Sequence, residues 1–326
     1  MIIARTPFRI SFFGGGTDYP AWVEKHGGAV LSTTFDKYCY ITCRKLPPFF
    51  DHKYRIAYSK LERVSSPSEI EHPAVRAVLH DYACGQGMEI HCDDDLPARS
   101  GLGSSSSFMV GLLNAVHGLS GRRVSPRKLA EEAIRYEQEV LAENVGSQDQ
   151  VAAAYGGLNI IRFLRDGDFR VEPLILPPGR KEALAARLML FFTGFSRIAS
   201  NIAGEQLDKM AVNERQLTAM REMVDQGVEI LVSDTDLRCF GELLHDTWMI
   251  KRGLSEKISN DAIDAVYARA RKAGAVGGKL LGAGGGGFLL LFAEPEQQDN
   301  VRKELEKLVH VPFKFEDEGA KIIYIE

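Results

Sequence analysis

No run of this sequence is long and apolar enough to cross a bilayer: the longest, around Phe288 to Ala293, falls far short of the roughly 20 residues a membrane helix needs. A basic block is also missing. Forty Lys and Arg face 44 Asp and Glu, a net charge of -4, so neither bulk nucleic acid nor a membrane surface is an expected partner. The five cysteines (Cys39, Cys43, Cys84, Cys92 and Cys239) are odd in number and lack metal-ligand spacing, which reads as free buried thiols in a reducing compartment. The opening MIIARTPFRISFFGGG has no cleavable signal pattern, and a cytoplasmic protein is expected. No internal repeat and no low-complexity tract interrupts the 326 residues, which suffice for two domains or one large one. With 45% apolar and 26% charged residues, the composition is that of an ordinary globular protein.

What is present centres on Asp95 to Phe108, DLPARSGLGSSSSF. Before it, Met88 to Cys92 alternates apolar and polar residues as a strand does. After it, Met109, Leu112, Leu113, Val116 and Leu119 fall on one helical face. A strand, a tight glycine turn and a helix starting inside a serine run leave free N–H groups and a positive dipole end at the turn. Gly101 and Gly103 let the backbone come close to a ligand, which suits a phosphate. The alternative is that Ser104 to Ser107 simply cap the helix. The dinucleotide pattern fails, because Ser106 stands where glycine is needed, and the Gly-Lys-Ser/Thr of a Walker loop is missing.

Residues 2 to 13, IIARTPFRISFF, read as a buried strand with an edge or bulge at Pro7. Gly14-Gly15-Gly16-Thr17-Asp18 then turns sharply. Asp18 is either a turn or cap residue before the short helix YPAWVEKHG, or a carboxylate that accepts hydrogen bonds from sugar hydroxyls. Gly28 to Arg44 and Tyr54 to Ser59 suit strands, and Pro73 to Cys84 a helix. Ser125-Pro126 opens another helix that carries to about Glu143. On it, Glu137 is either solvated or, if the helix returns to the phosphate loop, a hard oxygen ligand for magnesium. Asp149, in GSQDQ, is either a cap for the helix VAAAY or a general base. Pro173 to Gly179, PLILPPG, is the candidate domain boundary.

Beyond it come the strand LMLFFTGFSR and helices from about Ala199 to Lys272, broken near Ser233-Asp234. Lys279 to Phe288, KLLGAGGGGF, then leads into the strand FLLLFA. This glycine cluster is either a hairpin loop or backbone that approaches a ligand or another loop. A helix over 298–309 and a strand pair, PFKFED and KIIYIE around Glu318-Gly319, close the sequence.

Three clusters in order, PFRISFFGGGTD (7–18), LPARSGLGSSSS (96–107) and KLLGAGGGGF (279–288), resemble the GHMP kinase superfamily, named for galactokinase, homoserine kinase, mevalonate kinase and phosphomevalonate kinase. The form RISFxGGGTD, with TGxSR at 193–197 and GGKxxGAGGGG at 277–287, is most similar to the D-glycero-D-manno-heptose 7-phosphate kinase branch. The resemblance implies an α+β fold of two domains. The first, over 1–178, would be ribosomal-S5-like and bind ATP; the second, over 179–326, would be a ferredoxin-like α/β sandwich. It further implies that ATP, with Mg2+, gives its γ-phosphoryl group to a small-molecule hydroxyl. In the named branch this is the anomeric hydroxyl of heptose 7-phosphate, and the product is the 1,7-bisphosphate.

Carried over residue by residue, Pro97, Gly101, Leu102, Gly103, Ser104, Ser105 and Ser106 match the ATP phosphate loop. Ser105 and Glu137 match the magnesium ligands, Asp149 the catalytic aspartate and Arg9 the basic residue beside it. Asp18 matches a carboxylate that holds sugar hydroxyls, within an acceptor site that takes in Gly15, Gly16, Thr17 and the third-motif glycines Gly284, Gly285 and Gly286. Galactokinase-like members carry Glu-His where Gly15-Gly16 stand, so room is left for a different or larger acceptor. A sugar phosphate would need cations: Arg197 comes first, with Lys251 and Arg252 behind it as side chains that otherwise read as surface charges. The implied partners are ATP and a sugar or sugar phosphate, with no nucleic acid and no membrane; a homodimer is left open. Three alternatives stand beside this reading. They are a galactokinase- or fucokinase-like enzyme for a free sugar, a homoserine- or mevalonate-type kinase that leaves Asp18 without a purpose, and a non-catalytic binding module of the same fold.

Overall fold

Twelve residues from Ile2 to Phe13 form the first strand, and the last eight of them are all buried. Such a segment must be covered on both faces, which fixes it inside the molecule rather than at its rim. In this computed structural model, residues 1–82, 86–98, 100–194, 204, 209–210 and 212–326 are described. In chain order the strands are β1 (Ile2–Phe13), β2 (Gly28–Lys45), β3 (Tyr54–Ala57), β4 (Leu61–Val64), β5 (Met88–Asp94), β6 (Asn159–Phe163), β7 (Phe169–Pro173), β8 (Leu188–Phe192), β9 (Ala275–Leu280), β10 (Phe288–Ala293), β11 (Val309–His310), β12 (Phe315–Glu316) and β13 (Lys321–Ile325). The helices are α1 (Pro20–His26), α2 (Pro73–Tyr82), α3 (Ser104–Leu119), α4 (Pro126–Arg135), α5 (Gln148–Tyr155), α6 (Arg180–Ala185), α7 (Glu214–Val232), α8 (Arg238–Arg252), α9 (Asp261–Lys272) and α10 (Gln298–Glu304).

The long strand β2, rich in Thr, Tyr, Val and Ile, is the spine of a nine-stranded sheet. Its first residues pair with β6, its last with β5, and β1 runs antiparallel along most of its length. The register of β1 on β2 slips between Pro7 and Phe8, the bulge that a residue without an N–H predicts. Four more strands, in the order β11-β8-β10-β9, make a second, antiparallel sheet. The class is α+β, as expected.

The two sheets share a core. Phe12 and Phe13 of β1 meet Phe240 of α8 edge-on, with ring centroids 5.3 and 5.0 Å apart. The far side of α8 puts Trp248 into a separate apolar cluster with Tyr267, Leu289 and Leu291. One helix therefore packs against both sheets and ties the second to the first.

Four expectations need correction. The last helix, expected over 298–309, ends at Glu304, and Val309 begins β11. The strands near the C-terminus do not pair with each other. β12 pairs with β2 and β13 with β1, so the chain returns to its first sheet and a boundary at 178/179 does not divide the sheets. The helix from Pro126 ends in a π-helical turn, Tyr136–Val140, instead of running to Glu143. The helical stretch after residue 199 breaks a second time between α8 and α9, where Asn260 caps the new helix through the N–H of Ile263. Cys39, Cys43, Cys92 and Cys239 are free, and Cys39 and Cys92 on neighbouring strands come within 4.0 Å. Among the described residues, no helix is long and apolar enough to cross a membrane.

Candidate active site

The loop between β5 and α3 takes its shape from Gly101 and Gly103, at φ +83° and +75°, a region closed to most side-chain-bearing residues. Gly103 is the N-cap of α3 and has no side chain to cap with, so the first-turn N–H groups and positive dipole end are left for a ligand. They face a cavity of about 1390 Å³, lined here by Pro97, Gly101, Gly103, Ser104, Ser105 and Ser106. Leu102 does not face it. Its side chain is fully buried in the core and its carbonyl accepts the N–H of Arg9 at 3.1 Å, so it anchors the loop.

The third glycine cluster is the tip of the β9–β10 hairpin, and it also meets another loop. A Cβ on Gly282 would lie 2.4 Å from the Cα of Gly101, and one on Gly287 2.1 Å from the carbonyl oxygen of Ser100. Two backbones thus touch where side chains would hold them apart. The expected contact residues Gly284, Gly285 and Gly286 lie away from the cavity; Gly282 and Ala283 line it instead. Gly284 packs on Ile258, and the Gly285 N–H donates to the Ile258 carbonyl at 2.9 Å.

Opposite the loop, β1 delivers Arg9 and α5 delivers Asp149. Arg9 Nε donates to Asp149 Oδ1 at 2.7 Å and Nη2 to Oδ2 at 2.8 Å, while Nη1 donates to the Gly101 carbonyl at 2.6 Å. One guanidinium therefore fixes the carboxylate to the phosphate loop, a bidentate geometry that lysine could not supply. Asp149 remains 25% exposed, facing the cavity.

Asp18 lines the same cavity and also ties the first glycine turn to α5. Its Oδ1 accepts from the Gly16 N–H and Gln148 Nε2, both at 3.0 Å, and its Oδ2 from the Gln148 N–H at 3.2 Å. Burial, and then the charge of Asp149, push its carboxyl above the usual range. Gly15 and Gly16 line the cavity beside it. Thr17 does not: it is fully buried, and its hydroxyl donates to the carbonyls of Gly14 at 2.8 Å and Ala29 at 3.0 Å. Its hydroxyl is already engaged in holding the turn.

Glu137 sits in the π-helical turn and is 1% exposed. A single wide turn of this kind re-aims a side chain that a regular helix would point elsewhere. Ser106 Oγ donates to Glu137 Oε2 at 2.7 Å, and Gln150 Nε2 donates to the same oxygen. Oε1 is buried, has no hydrogen-bond partner among the described residues, and belongs to a residue of the cavity wall. Burial pushes this carboxyl up to about 7. A buried acid with one oxygen held and the other unpartnered has the donor character that a hard divalent cation takes. The serine joined to it is Ser106 rather than Ser105, which is exposed on the first turn of α3.

Sequence reasoning ranked Lys251 only behind Arg197 and gave Lys279 no role. Lys251, expected at the surface, is 7% exposed, and Lys279 only 2%; both line the cavity. Burial, then Arg9, push the Lys251 ammonium down to about 7. Lys279 is driven well below the usual lysine range by burial and by its two cationic neighbours, Lys251 and Arg9. A signal was available for Lys279, which sits inside AVGGKL, a strand buried at every position. Arg252 pairs with Asp264. Arg197 lies outside the described residues.

Comparison with known proteins follows the same lines. The family model for the GHMP kinases N terminal domain matches residues 70–157, and that for the GHMP kinases C terminal matches residues 228–310. A D-glycero-alpha-D-manno-heptose 7-phosphate kinase of Campylobacter jejuni is 30% identical, over 98% of each chain. A bifunctional fucokinase/GDP-fucose pyrophosphorylase of Arabidopsis thaliana is 24% identical over 92% of this chain and 31% of its own length. Among solved structures, a D-glycero-D-manno-heptose 1-phosphate kinase of Bacteroides thetaiotaomicron superposes over 100% of both chains with a TM-score of 0.82 at 25% identity.

Proposed function

The chain belongs to the GHMP kinases, ATP-dependent phosphotransferases, and on that premise we propose that it is a sugar kinase that moves the γ-phosphoryl group of ATP to the anomeric hydroxyl of D-glycero-D-manno-heptose 7-phosphate. The observation that carries this reading is the Arg9–Asp149 pair. It holds a carboxylate at both oxygens, partly open to the cavity, at the edge of a phosphate loop and beside a second carboxylate suited to sugar hydroxyls.

In this reading Asp149 takes the proton of the acceptor hydroxyl as that oxygen bonds to the γ-phosphorus and the bond to ADP breaks. The Arg9 guanidinium stabilises charge on the moving phosphoryl, and because it is already fixed by three bonds it needs no reorganisation. The first-turn N–H groups of α3 bind the triphosphate across Gly101 and Gly103. Glu137, with Ser106 beside it, fits Mg2+ through the unpartnered Oε1. That ion, when bound, would neutralise charge on the phosphate oxygens. Asp18 and Gln148 orient the sugar, and Gly15 and Gly16 leave room for a long acceptor where larger side chains would stand.

The end-to-end similarity to a heptose 7-phosphate kinase supports this acceptor, and the heptose 1-phosphate kinase neighbour supports a heptose. A second reading, a kinase for the anomeric hydroxyl of a free sugar, draws on the similarity to a bifunctional fucokinase and on Asp18. A cytoplasmic setting, where ATP is supplied, goes with either. Coupled ADP release against heptose 7-phosphate, galactose, fucose and mevalonate separates them. We expect turnover with the heptose phosphate at a kcat/KM at least about tenfold above the others, the step that 1.4 kcal/mol of differential binding gives. Preference for a free sugar would overturn the choice of acceptor.

A further inference from the structure

An ammonium group inside a protein is costly unless something offsets its charge. Lys251, from α8, and Lys279, from β9, are both buried in the cavity wall, and among the described residues both find only backbone carbonyls. Lys251 Nζ donates to the carbonyls of Leu280, at 3.2 Å, and Gly282. Lys279 Nζ donates to the carbonyl of Phe12 at 2.8 Å. Arg9, the third cation of this region, is already committed to Asp149. An ammonium has three donors, so Lys279 keeps two unused and Lys251 one.

The same wall holds a second kind of unused donor. Ser11, 6% exposed, lines the cavity, and its Oγ is buried without a partner among the described residues. Gly15 stands over it: a Cβ there would sit 3.7 Å from Ser11 Oγ, so its absence leaves the hydroxyl uncovered. Buried polar atoms are nearly always paired, and an unpaired hydroxyl lining the same cavity as two under-used ammonium groups points to a ligand there. The nearby acids, Asp18 and Asp149, already take their hydrogen bonds from Gly16, Gln148 and Arg9. Two lysine side chains with unused donors and an unpaired hydroxyl, all lining one cavity, suit a tetrahedral dianion.

We propose that Lys279, Lys251 and Ser11 form a phosphate subsite for the acceptor, distinct from the phosphate loop that takes ATP. The inference rests on the reading of the acceptor as a sugar phosphate. The assignment to acceptor rather than nucleotide follows from the anchor points. Lys279 is tied to Phe12 and Ser11 precedes it in β1, next to the glycine turn that carries Asp18. The triphosphate has its own site at the start of α3. Burial lowers the ammonium pKa of both lysines in the free protein, and a bound dianion opposes that shift by supplying counter-charge.

Lys279→Met tests the subsite, because methionine keeps the length and loses the charge; Ser11→Ala is the milder companion. With heptose 7-phosphate as acceptor, Lys279→Met should raise KM for the sugar phosphate at least about tenfold, the scale of one charge-assisted hydrogen bond, and Ser11→Ala about threefold to tenfold. KM for ATP should stay within about twofold, since no phosphate-loop contact is touched. Tm of Lys279→Met should hold or rise, because the cost of burying or deprotonating an ammonium group is removed. A fall in Tm with KM for ATP and for the sugar phosphate rising together would mark Lys279 as a structural strut and overturn the subsite. An equal fall in kcat with heptose 7-phosphate and unphosphorylated heptose would assign the lysines to the transferred group and also overturn it. Calorimetric titration with inorganic phosphate, the phosphate loop filled by a non-hydrolysable ATP analogue, needs no turnover. There the wild type should bind at least about tenfold tighter than Lys279→Met, and equal binding would refute the subsite. If the wild type turned over no sugar phosphate yet showed that difference, the acceptor reading would fail while the anion site stood.

Discussion

Replacing Asp149 with asparagine keeps the shape of the side chain and removes its charge. Of the two bonds from Arg9, 2.7 and 2.8 Å long, one survives on Oδ1, while the new amide NH2 meets Nη2 donor to donor. Arg9 is 5% exposed, so its guanidinium is left inside the protein without a counter-charge. Breaking a buried pair costs about 3–5 kcal/mol, and the 25% exposure of Asp149 puts the cost at the lower end, about 3 kcal/mol. Loss of the general base adds a separate fall in kcat of about 10²- to 10⁴-fold. The two effects come apart in the double variant Arg9→Met/Asp149→Asn, where neither charge is stranded. Thermal unfolding followed by circular dichroism should recover most of the lost stability, while coupled ADP release stays down. Turnover of Asp149→Asn within threefold of wild type, or activity returning together with stability in the double variant, would show that Asp149 is only a partner for Arg9.

Further outcomes follow from other parts of the site. Glu137→Gln should raise the Mg2+ concentration for half-maximal activity at least about tenfold, with Tm in metal-free buffer at pH 8 unchanged or higher, because the folded protein holds this carboxyl at about 7 and ionising it is uphill; an unchanged Mg2+ requirement would exclude the role. Lys251→Met should become increasingly more stable than wild type as pH falls from 10 to 7, and then level off. The wild-type ammonium titrates at about 7 when folded and 10.5 when unfolded, so its penalty grows by about 1.4 kcal/mol per pH unit across that window. Urea unfolding at pH 6 to 10 reads this directly, and a constant offset would contradict it. Gly282→Ala drives a Cβ to within 2.4 Å of the Gly101 Cα and should raise KM for ATP at least about tenfold by displacing the phosphate loop. Gly167→Ala, also at positive φ but in open space, should leave KM alone and cost only about 1 kcal/mol; equal effects on KM would rule out the backbone contact as the reason for the third glycine cluster.

Local chemistry made much of this legible. The bounds of β1, the bulge at Pro7, the start of α3 in the serine run and the hairpin tip at KLLGAGGGGF all rest on short-range rules about proline, glycine and apolar alternation. Asp149, Arg9, Asp18 and Glu137 were named from motifs, and the structure gathers all four around one cavity. What was missed depends on distance in space. The pairing of β13 with β1 joins residues more than 300 apart, and no local pattern encodes that. Ser106 rather than Ser105 meets Glu137 because a π-helical turn shifts the direction of the acid, and a regular helix was expected there. Lys251 was only a second-rank candidate for the sugar phosphate, with a surface charge the favoured reading because lysines almost always are exposed. Its burial comes from the hairpin tip closing over α8, a contact between separate elements. Thr17 looked free to bind a sugar, but its hydroxyl closes the turn that makes the Asp18 geometry.

The central claim is that one carboxylate, fixed by Arg9 at the edge of the phosphate loop, directs a phosphoryl group on to the anomeric oxygen of a heptose phosphate. Phosphorus–proton correlation NMR of the reaction mixture tests it most directly. The account predicts a new phosphate resonance coupled to the anomeric proton, growing in step with ADP in the wild type and missing with Asp149→Asn. A phosphate coupled to any other sugar proton, or the same anomeric product formed at an undiminished rate by Asp149→Asn, would contradict it.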